Sequence, residues 1–277
     1  MATVPRRSVL VVGGSTGFGA AIIQRMRSDG YSVIGTSRKA SLTPLATATP
    51  DLQRLDVRDD ASVAALQAHL TEQGFIPDVI VLNAGYGIAG PVENTSMVLA
   101  EAQFATNFFG LHRLVQAFLP AMRRLGAGQL IFIGSIAAQL PLPFQCFYSA
   151  SKAALAAYSD ALRMEVMAHG IKVSIVEPGD HRTEFGVSRA VVPAGADRAY
   201  EPQAERALAL YAASEQAGPT ADGLAALVSR IARTNRPRTR YRQTLLKERA
   251  ALALRALLPG GMFERIIMAE FKIPRRR

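Results

Sequence analysis

Tyr148 and Lys152 stand four residues apart in the stretch 145–152, Gln-Cys-Phe-Tyr-Ser-Ala-Ser-Lys. On a helix this spacing puts both side chains on one face, about one turn apart. An ammonium beside a phenol favours the phenolate and lowers the tyrosine pKa from its reference of about 10. A phenol tuned in this way can exchange a proton with an alcohol or a carbonyl oxygen. Tyrosine and lysine at this spacing also occur by accident on solvated helix faces, so the meaning of the pair rests on the elements around it.

Those elements alternate. Short apolar runs at 8–12, 31–35, 52–56, 79–82, 130–133 and 173–176 read as six strands. Segments of helical period lie between them at 19–28, 61–72, 101–125 and 148–169, the third being one or two helices with Pro120 inside or between them. Continuous β-branched runs separated by helices predict a parallel sheet covered on both faces. With right-handed crossovers this is a doubly wound α/β sheet of Rossmann type, in a single domain spanning 1–277.

The turn after the first strand is Gly13-Gly14-Ser15-Thr16-Gly17-Phe18-Gly19. Glycines there let the chain turn tightly and let a pyrophosphate approach a helix N-terminus, where free N–H groups favour anions. The second strand ends in Thr36-Ser37-Arg38, with no acid between Tyr31 and Pro50. A carboxylate at that point would hold a free ribose 2′-hydroxyl, whereas an arginine suits a 2′-phosphate, so the expected cofactor is NADP.

Composition narrows the setting. Of 277 residues 49% are hydrophobic, enough for a sizeable core. The one cysteine, Cys146, excludes an intrachain disulfide and is expected to be a small buried side chain. The histidines at 69, 112, 169 and 181 are too scattered to suggest a metal, and none is expected. No secretory leader and no bilayer-length apolar run is visible, so a cytoplasmic location is expected. The net charge of +10 is uneven: 230–277 holds 14 Lys and Arg against three Glu, which is +11, and leaves 1–229 near −1.

The turn at 13–19, Asn83-Ala84-Gly85, Ser135 and Tyr148-x-x-x-Lys152 occur in the order found in the short-chain dehydrogenase/reductase family. The chain resembles that family over residues 8–185. The resemblance implies that Tyr148 is the general acid/base, that Lys152 lowers its pKa and holds the nicotinamide ribose, and that Ser135 hydrogen-bonds the substrate oxygen. It implies that Asn107, in Asn-Phe-Phe-Gly, supports a water-linked proton path. For the cofactor it implies Gly13, Ser15, Thr16, Gly17, Phe18 and Gly19 at the phosphates and Asp56 and Val57 at the adenine. Asn83, Ala84 and Gly85 would line the floor, with Pro178, Gly179, His181 and Thr183 beside the nicotinamide. Three positions depart from the pattern. Val12 and Leu82 replace residues that brace the fold by side-chain hydrogen bonds, and His181 replaces an aliphatic residue.

The whole-chain pattern is similar to the hydroxysteroid and retinol dehydrogenase-like branch, which implies a bulky apolar alcohol or ketone as substrate. The alternatives are a β-ketoacyl reductase acting on a carrier-bound chain and an NADP-binding regulator without turnover. Residues 183–220 are expected to form a substrate lid and 230–277 a basic helical extension. In that extension the stripe Leu245, Leu246, Ala250, Ala253, Leu254, Leu257 and Leu258, continued by Phe263, Ile266, Ile267 and Phe271, is expected to pack on the body. Peripheral membrane contact through these helices is the second reading. Nucleic acid is not expected as a partner, since base-reading elements are missing. A homo-oligomer, dimer or tetramer, is expected.

Overall fold

The computed structural model describes residues 7–43, 45, 52–193, 195 and 198–274. In chain order the elements are β1 (Ser8–Val12), α1 (Gly17–Ser28), β2 (Ser32–Ser37), β3 (Gln53–Arg54), α2 (Asp60–Glu72), β4 (Val79–Leu82), β5 (Ile88–Ala89), α3 (Met97–Phe104) and α4 (Gly110–Leu125). There follow β6 (Gly128–Ile133), α5 (Cys146–Val166), β7 (Ile171–Pro178), β8 (Ala190–Val191), α6 (Glu201–Ala217), α7 (Asp222–Arg233), β9 (Arg240–Gln243), α8 (Leu246–Leu257) and α9 (Gly260–Glu270).

The strands are apolar on both faces because both faces are covered. In β1, Val9 and Val11 point to one side, against Ile22 and Met26 of α1 and Leu224 and Val228 of α7. Leu10 and Val12 point to the other, into a cluster with Leu66 of α2, Leu114 of α4 and Leu155 of α5. Seven strands form one sheet in the order β3-β2-β1-β4-β6-β7-β9, and every pairing is parallel. The chain runs outward from β1 to β3 and then returns to β4 on the other side of β1. This reversal opens a crevice beyond the carboxyl ends of β1 and β4, where doubly wound sheets bind ligands.

Six strands follow the apolar runs of the sequence, and the seventh does not. The edge strand β9 reads Arg-Tyr-Arg-Gln and has no apolar period. It is held by register with β7, from Ile175 opposite Arg240 to Pro178 opposite Gln243. Glu177 of β7 is fully buried. Arg240 bonds it at 2.5 Å, Arg242 lies 3.6 Å away, and Gln139 donates to it at 2.6 Å. The 101–125 segment is two helices, but Pro120 lies inside α4 and the joint is a π-helical turn at Ala105–Phe109.

Two expectations fail here. Cys146, expected to be buried, is exposed on the first turn of α5. The tail stripe does not pack as one face. On α8 the inward residues are Glu248 and Leu252 with Ala251 and Leu258, whereas Leu246 and Leu257 point outward. The rotation of the helix is set by Glu248, whose carboxylate accepts from its own N-cap amide, Leu245, at 2.6 Å and from the Asp180 amide at 2.7 Å. A carboxylate meeting two backbone donors outweighs one extra leucine contact. Phe263, Ile267 and Phe271 of the second half do face the body, against Leu140, Leu142 and Tyr211. Arg275, Arg276 and Arg277 lie outside the described residues.

Candidate active site

A cavity of about 1590 Å³ runs along the carboxyl ends of the central strands. Its floor begins at the glycine turn. Gly13 takes φ +78°, a conformation open to glycine without strain. Its amide donates to Thr36 Oγ1 at 3.1 Å, and the Gly14 amide to the Thr36 carbonyl at 2.8 Å. Asn83 Nδ2 donates to the Gly13 carbonyl at 2.8 Å. Val12 and Leu82 are fully buried core residues. The turn is therefore braced by Thr36 and Asn83 in place of side chains at those two positions. Ser15, Thr16, Gly17 and Phe18 line the cavity with Gly13. Gly19 stands behind it, where a Cβ would meet the Gly13 carbonyl oxygen at 1.9 Å; its role is close approach of the helix to the turn.

The Gly17 amide, at the start of α1, donates to Glu184 Oε2 at 2.9 Å. This carboxylate, which the sequence reading missed, sits on the helix N-terminus where anions are favoured. At the other end Arg38, Lys39, Asp56, Val57 and Arg58 line the cavity. Arg58, also missed, pairs with Asp56 at 2.6 Å and holds its carboxyl down at about 2. Its place two residues after Asp56 was the available signal.

Asn83, Ala84, Gly85, Ser135, Tyr148, Lys152, Pro178, Gly179, His181 and Thr183 all line the same cavity. The one-turn spacing on α5 puts Lys152 Nζ 6.0 Å from the centre of the Tyr148 ring. Lys152 donates to the Ile133 carbonyl at 2.9 Å. Ser135 Oγ accepts from the Ala137 amide at 3.1 Å, and its hydroxyl pulls the Tyr148 phenol toward lower pKa. Asn107, fully buried in the π-helical turn, lies outside the cavity wall. Its Oδ1 accepts from the Tyr86 amide at 3.0 Å, and its Nδ2 donates to the Tyr86 carbonyl at 2.9 Å and to Ser151 Oγ at 3.1 Å. A Cβ on Gly85 would stand 3.2 Å from Asn107 Oδ1 and 3.5 Å from Lys152 Nζ, so these groups meet around that glycine.

Burial governs the proton equilibria. It pushes the Tyr148 phenol up to about 12, against the opposing pulls of the Ser135 hydrogen bond and the Arg189 charge. It pushes the Lys152 ammonium down to about 8. The lysine was expected to lower the phenol. Desolvation of both groups outweighs that attraction, because the ammonium is turned toward a backbone carbonyl.

Phe185 packs 5.4 Å from the Tyr148 ring. The Arg189 guanidinium lies 5.7 Å from Phe185 and 5.6 Å from Tyr211, and pairs with Glu215. His181 Nδ1 lies 3.0 Å from the Gly179 carbonyl, so this nitrogen carries the proton. Nε2 is then a buried acceptor without a protein partner among the described residues. Beyond this polar centre the wall is mainly apolar, with Leu140, Leu142, Tyr211, Ile266, Ile267 and Phe271, and is interrupted by Ser214, Lys247 and Glu270. Among the described residues no group of three His, Cys, Asp or Glu could hold a metal.

The family model described as short chain dehydrogenase matches residues 7–190. The chain belongs to the short-chain dehydrogenase family. It is 34% identical over 258 residues to a 3-ketodihydrosphingosine reductase of Bacteroides thetaiotaomicron, covering 92% of this chain and 94% of the relative. It is 34% identical to retinol dehydrogenase 8 of Bos taurus, covering 94% and 88%. A solved short-chain dehydrogenase from Streptomyces avermitilis superposes with a TM-score of 0.79 at 30% identity, over 98% of this chain and 97% of the other. These relatives support the hydroxysteroid and retinol-like branch. Short-chain dehydrogenases use a nicotinamide cofactor, and this cavity fits one. The glycine cradle leaves room for phosphates, and the lone pair of His181 Nε2 awaits a donor such as a carboxamide N–H.

Proposed function

We propose that this short-chain dehydrogenase interconverts a secondary or primary alcohol and its ketone or aldehyde with NADP(H), on a bulky apolar, steroid-, retinoid- or terpenoid-like substrate. The observation that carries the reading is that Ser135, Tyr148 and Lys152 are buried side chains lining one cavity, with Lys152 Nζ 6.0 Å from the centre of the Tyr148 ring. A nicotinamide bound there supplies or accepts the hydride. Ser135 orients the substrate oxygen, and Tyr148 gives its proton to that oxygen in reduction or takes it in oxidation. At neutral pH a phenol pushed to about 12 holds its proton, which suits reduction. The Lys152 ammonium, 6.0 Å from the Tyr148 ring, offsets the negative charge left when the phenol gives up its proton, and Asn107 fixes the Tyr86 backbone.

Arg38 and Lys39 at the adenosine end support NADP over NAD. The apolar wall and the likeness to a 3-ketodihydrosphingosine reductase and a retinol dehydrogenase support a lipid ketone or alcohol. α9 lies over that wall, which favours a free lipid over an acyl chain tethered to a carrier. The test is initial rates with NADPH and with NADH on a long-chain 3-keto-amine, retinal and a 17-ketosteroid. NADPH-dependent reduction of at least one is expected. Cofactor binding with no turnover across such a panel would favour the silent regulator instead.

A further inference from the structure

The outward side of α8 carries an apolar arc. Leu246 and Leu257 are 82% and 81% exposed and Leu254 is 40% exposed, with exposed Ala250 and Ala253 between them. At about 100° per residue these five fall within one third of the helix circumference. Arg249 stands at one border of that arc and Lys247, whose ammonium donates to Ser214 Oγ at 3.0 Å beside the cavity, at the other. Met262 and Ile266 continue the exposed apolar surface onto α9, at 50% and 44% exposure. Ile266 also lines the cavity, so the exposed apolar surface of α9 reaches the apolar end of the cavity.

A soluble monomer gains nothing from keeping large leucines in water at this density, and such a face marks a contact. Its chemistry identifies the contact. On α8 and α9 the exposed charged residues are Lys247, Arg249, Arg255 and Arg265 against Glu264 and Glu270, while Glu248 is buried under the helix. A basic border around an apolar arc, on a helix lying flat on a folded body, matches an anionic lipid surface. Among the described residues no helix is long and apolar enough to cross a membrane, so the contact is peripheral.

We propose that the α8–α9 face docks the protein on anionic lipid bilayers, with Leu246, Leu254 and Leu257 entering the acyl boundary and Lys247 and Arg249 at the headgroups. Docking sets the apolar end of the cavity against the membrane, where a lipid substrate is dissolved. Only this last step rests on the proposed substrate class; binding to the bilayer is measured without turnover.

The experiment is co-sedimentation of the full chain with vesicles of phosphatidylcholine alone and with about one third phosphatidylserine, at low and at physiological salt. Leu246→Ser/Leu257→Ser is compared with the parent chain, and Lys247→Glu/Arg249→Glu is the second variant. Both alter exposed side chains, and thermal melting confirms folding. The parent is expected to bind the anionic vesicles at least tenfold better than the neutral ones. The leucine pair is expected to lose at least about tenfold of that, since one buried leucine side chain is worth about a decade. The charge pair is expected to lose the anionic preference. Absence of sedimentation overturns the proposal, as does equal sedimentation of the leucine variant. Sedimentation velocity is run on the same samples: a parent dimer that dissociates in the leucine variant, without vesicle binding, makes the face a contact between two copies and overturns it as well.

Discussion

The cavity has two walls of different construction. On the strand-end side, directional hydrogen bonds set the turn: the Gly13 and Gly14 amides are bonded to the Thr36 hydroxyl and carbonyl, and the Asn83 side chain closes the turn on the Gly13 carbonyl. On the far side, α6, α8 and α9 meet the 140–144 loop through aliphatic and aromatic contacts such as Leu140 with Phe263 and Tyr211 with Phe271. Directional bonds with few acceptable geometries require particular residues at particular spacings. Apolar contacts require only volume and a matching surface. The first wall can therefore fix a cofactor and a proton donor, while the second is free to differ in the substrate it admits.

Substitutions that act on one wall and spare the other test this division. Tyr148→Phe leaves both walls and removes the proton. The rate is expected to fall by roughly 10² to 10⁴ with NADPH binding retained, measured by single-turnover kinetics and fluorescence. The pH profile belongs to the same test. Tyr148 sits at about 12 and keeps its proton through the neutral range, whereas Lys152 at about 8 loses its charge first. Reduction is expected to hold steady below about pH 8 and to decline above it, and oxidation to rise with pH. Only the lysine changes charge in the accessible range, so one transition is read. Loss of that transition in Lys152→Met, with cofactor still bound, would tie it to the lysine.

Phe263→Ala strikes the apolar wall alone. A buried phenylalanine truncated to alanine costs about 3–5 kcal/mol where the site cannot collapse, and Phe263 is 5% exposed. Denaturant unfolding is expected to show a loss of that order, with substrate KM raised more than cofactor Kd. Equal weakening of both would mean that the walls are one unit. Arg38→Asp strikes the other wall. The ratio of kcat/KM for NADPH over NADH is expected to fall by at least about tenfold, one lost charge-assisted contact. The smallest effect is expected from Glu184→Gln. Its carboxylate holds the Gly17 amide that a phosphate oxygen needs, so removing the charge should tighten NADPH binding by about threefold. Titration calorimetry reads this directly, and weaker binding would make Glu184 a cofactor ligand.

What could be read from the residues follows the same line. The glycine turn, the α5 pair, Ser135 and the six apolar strands are visible because each depends on spacing, and all but Gly19 and Asn107 of the named site residues reach the cavity wall. Three features were not visible. β9 has no apolar period, since a buried glutamate on its neighbour holds it by charge. The orientation of α8 is set by Glu248 caught between two amides, and the leucine stripe, the louder signal, pointed the wrong way. The proton equilibria depend on desolvation, which is a property of the closed cavity and has no counterpart in the distance between Tyr148 and Lys152 along the chain.

The pairing of Ile175 with Arg240 has a consequence for biosynthesis. The outer partner of β7, both arginines that pair with Glu177 and two of the three helices of the apolar wall, α8 and α9, lie after Pro237. On the ribosome β7 therefore emerges well before the residues that cover its edge. Until they arrive, the nascent chain presents an open strand edge and an uncovered apolar trough, the features that lead incomplete chains to associate. A chain arrested before β9 is thus an aggregation substrate for chaperones, not a smaller enzyme. The apolar wall closes only when α8 and α9 have packed against α6 and the 140–144 loop.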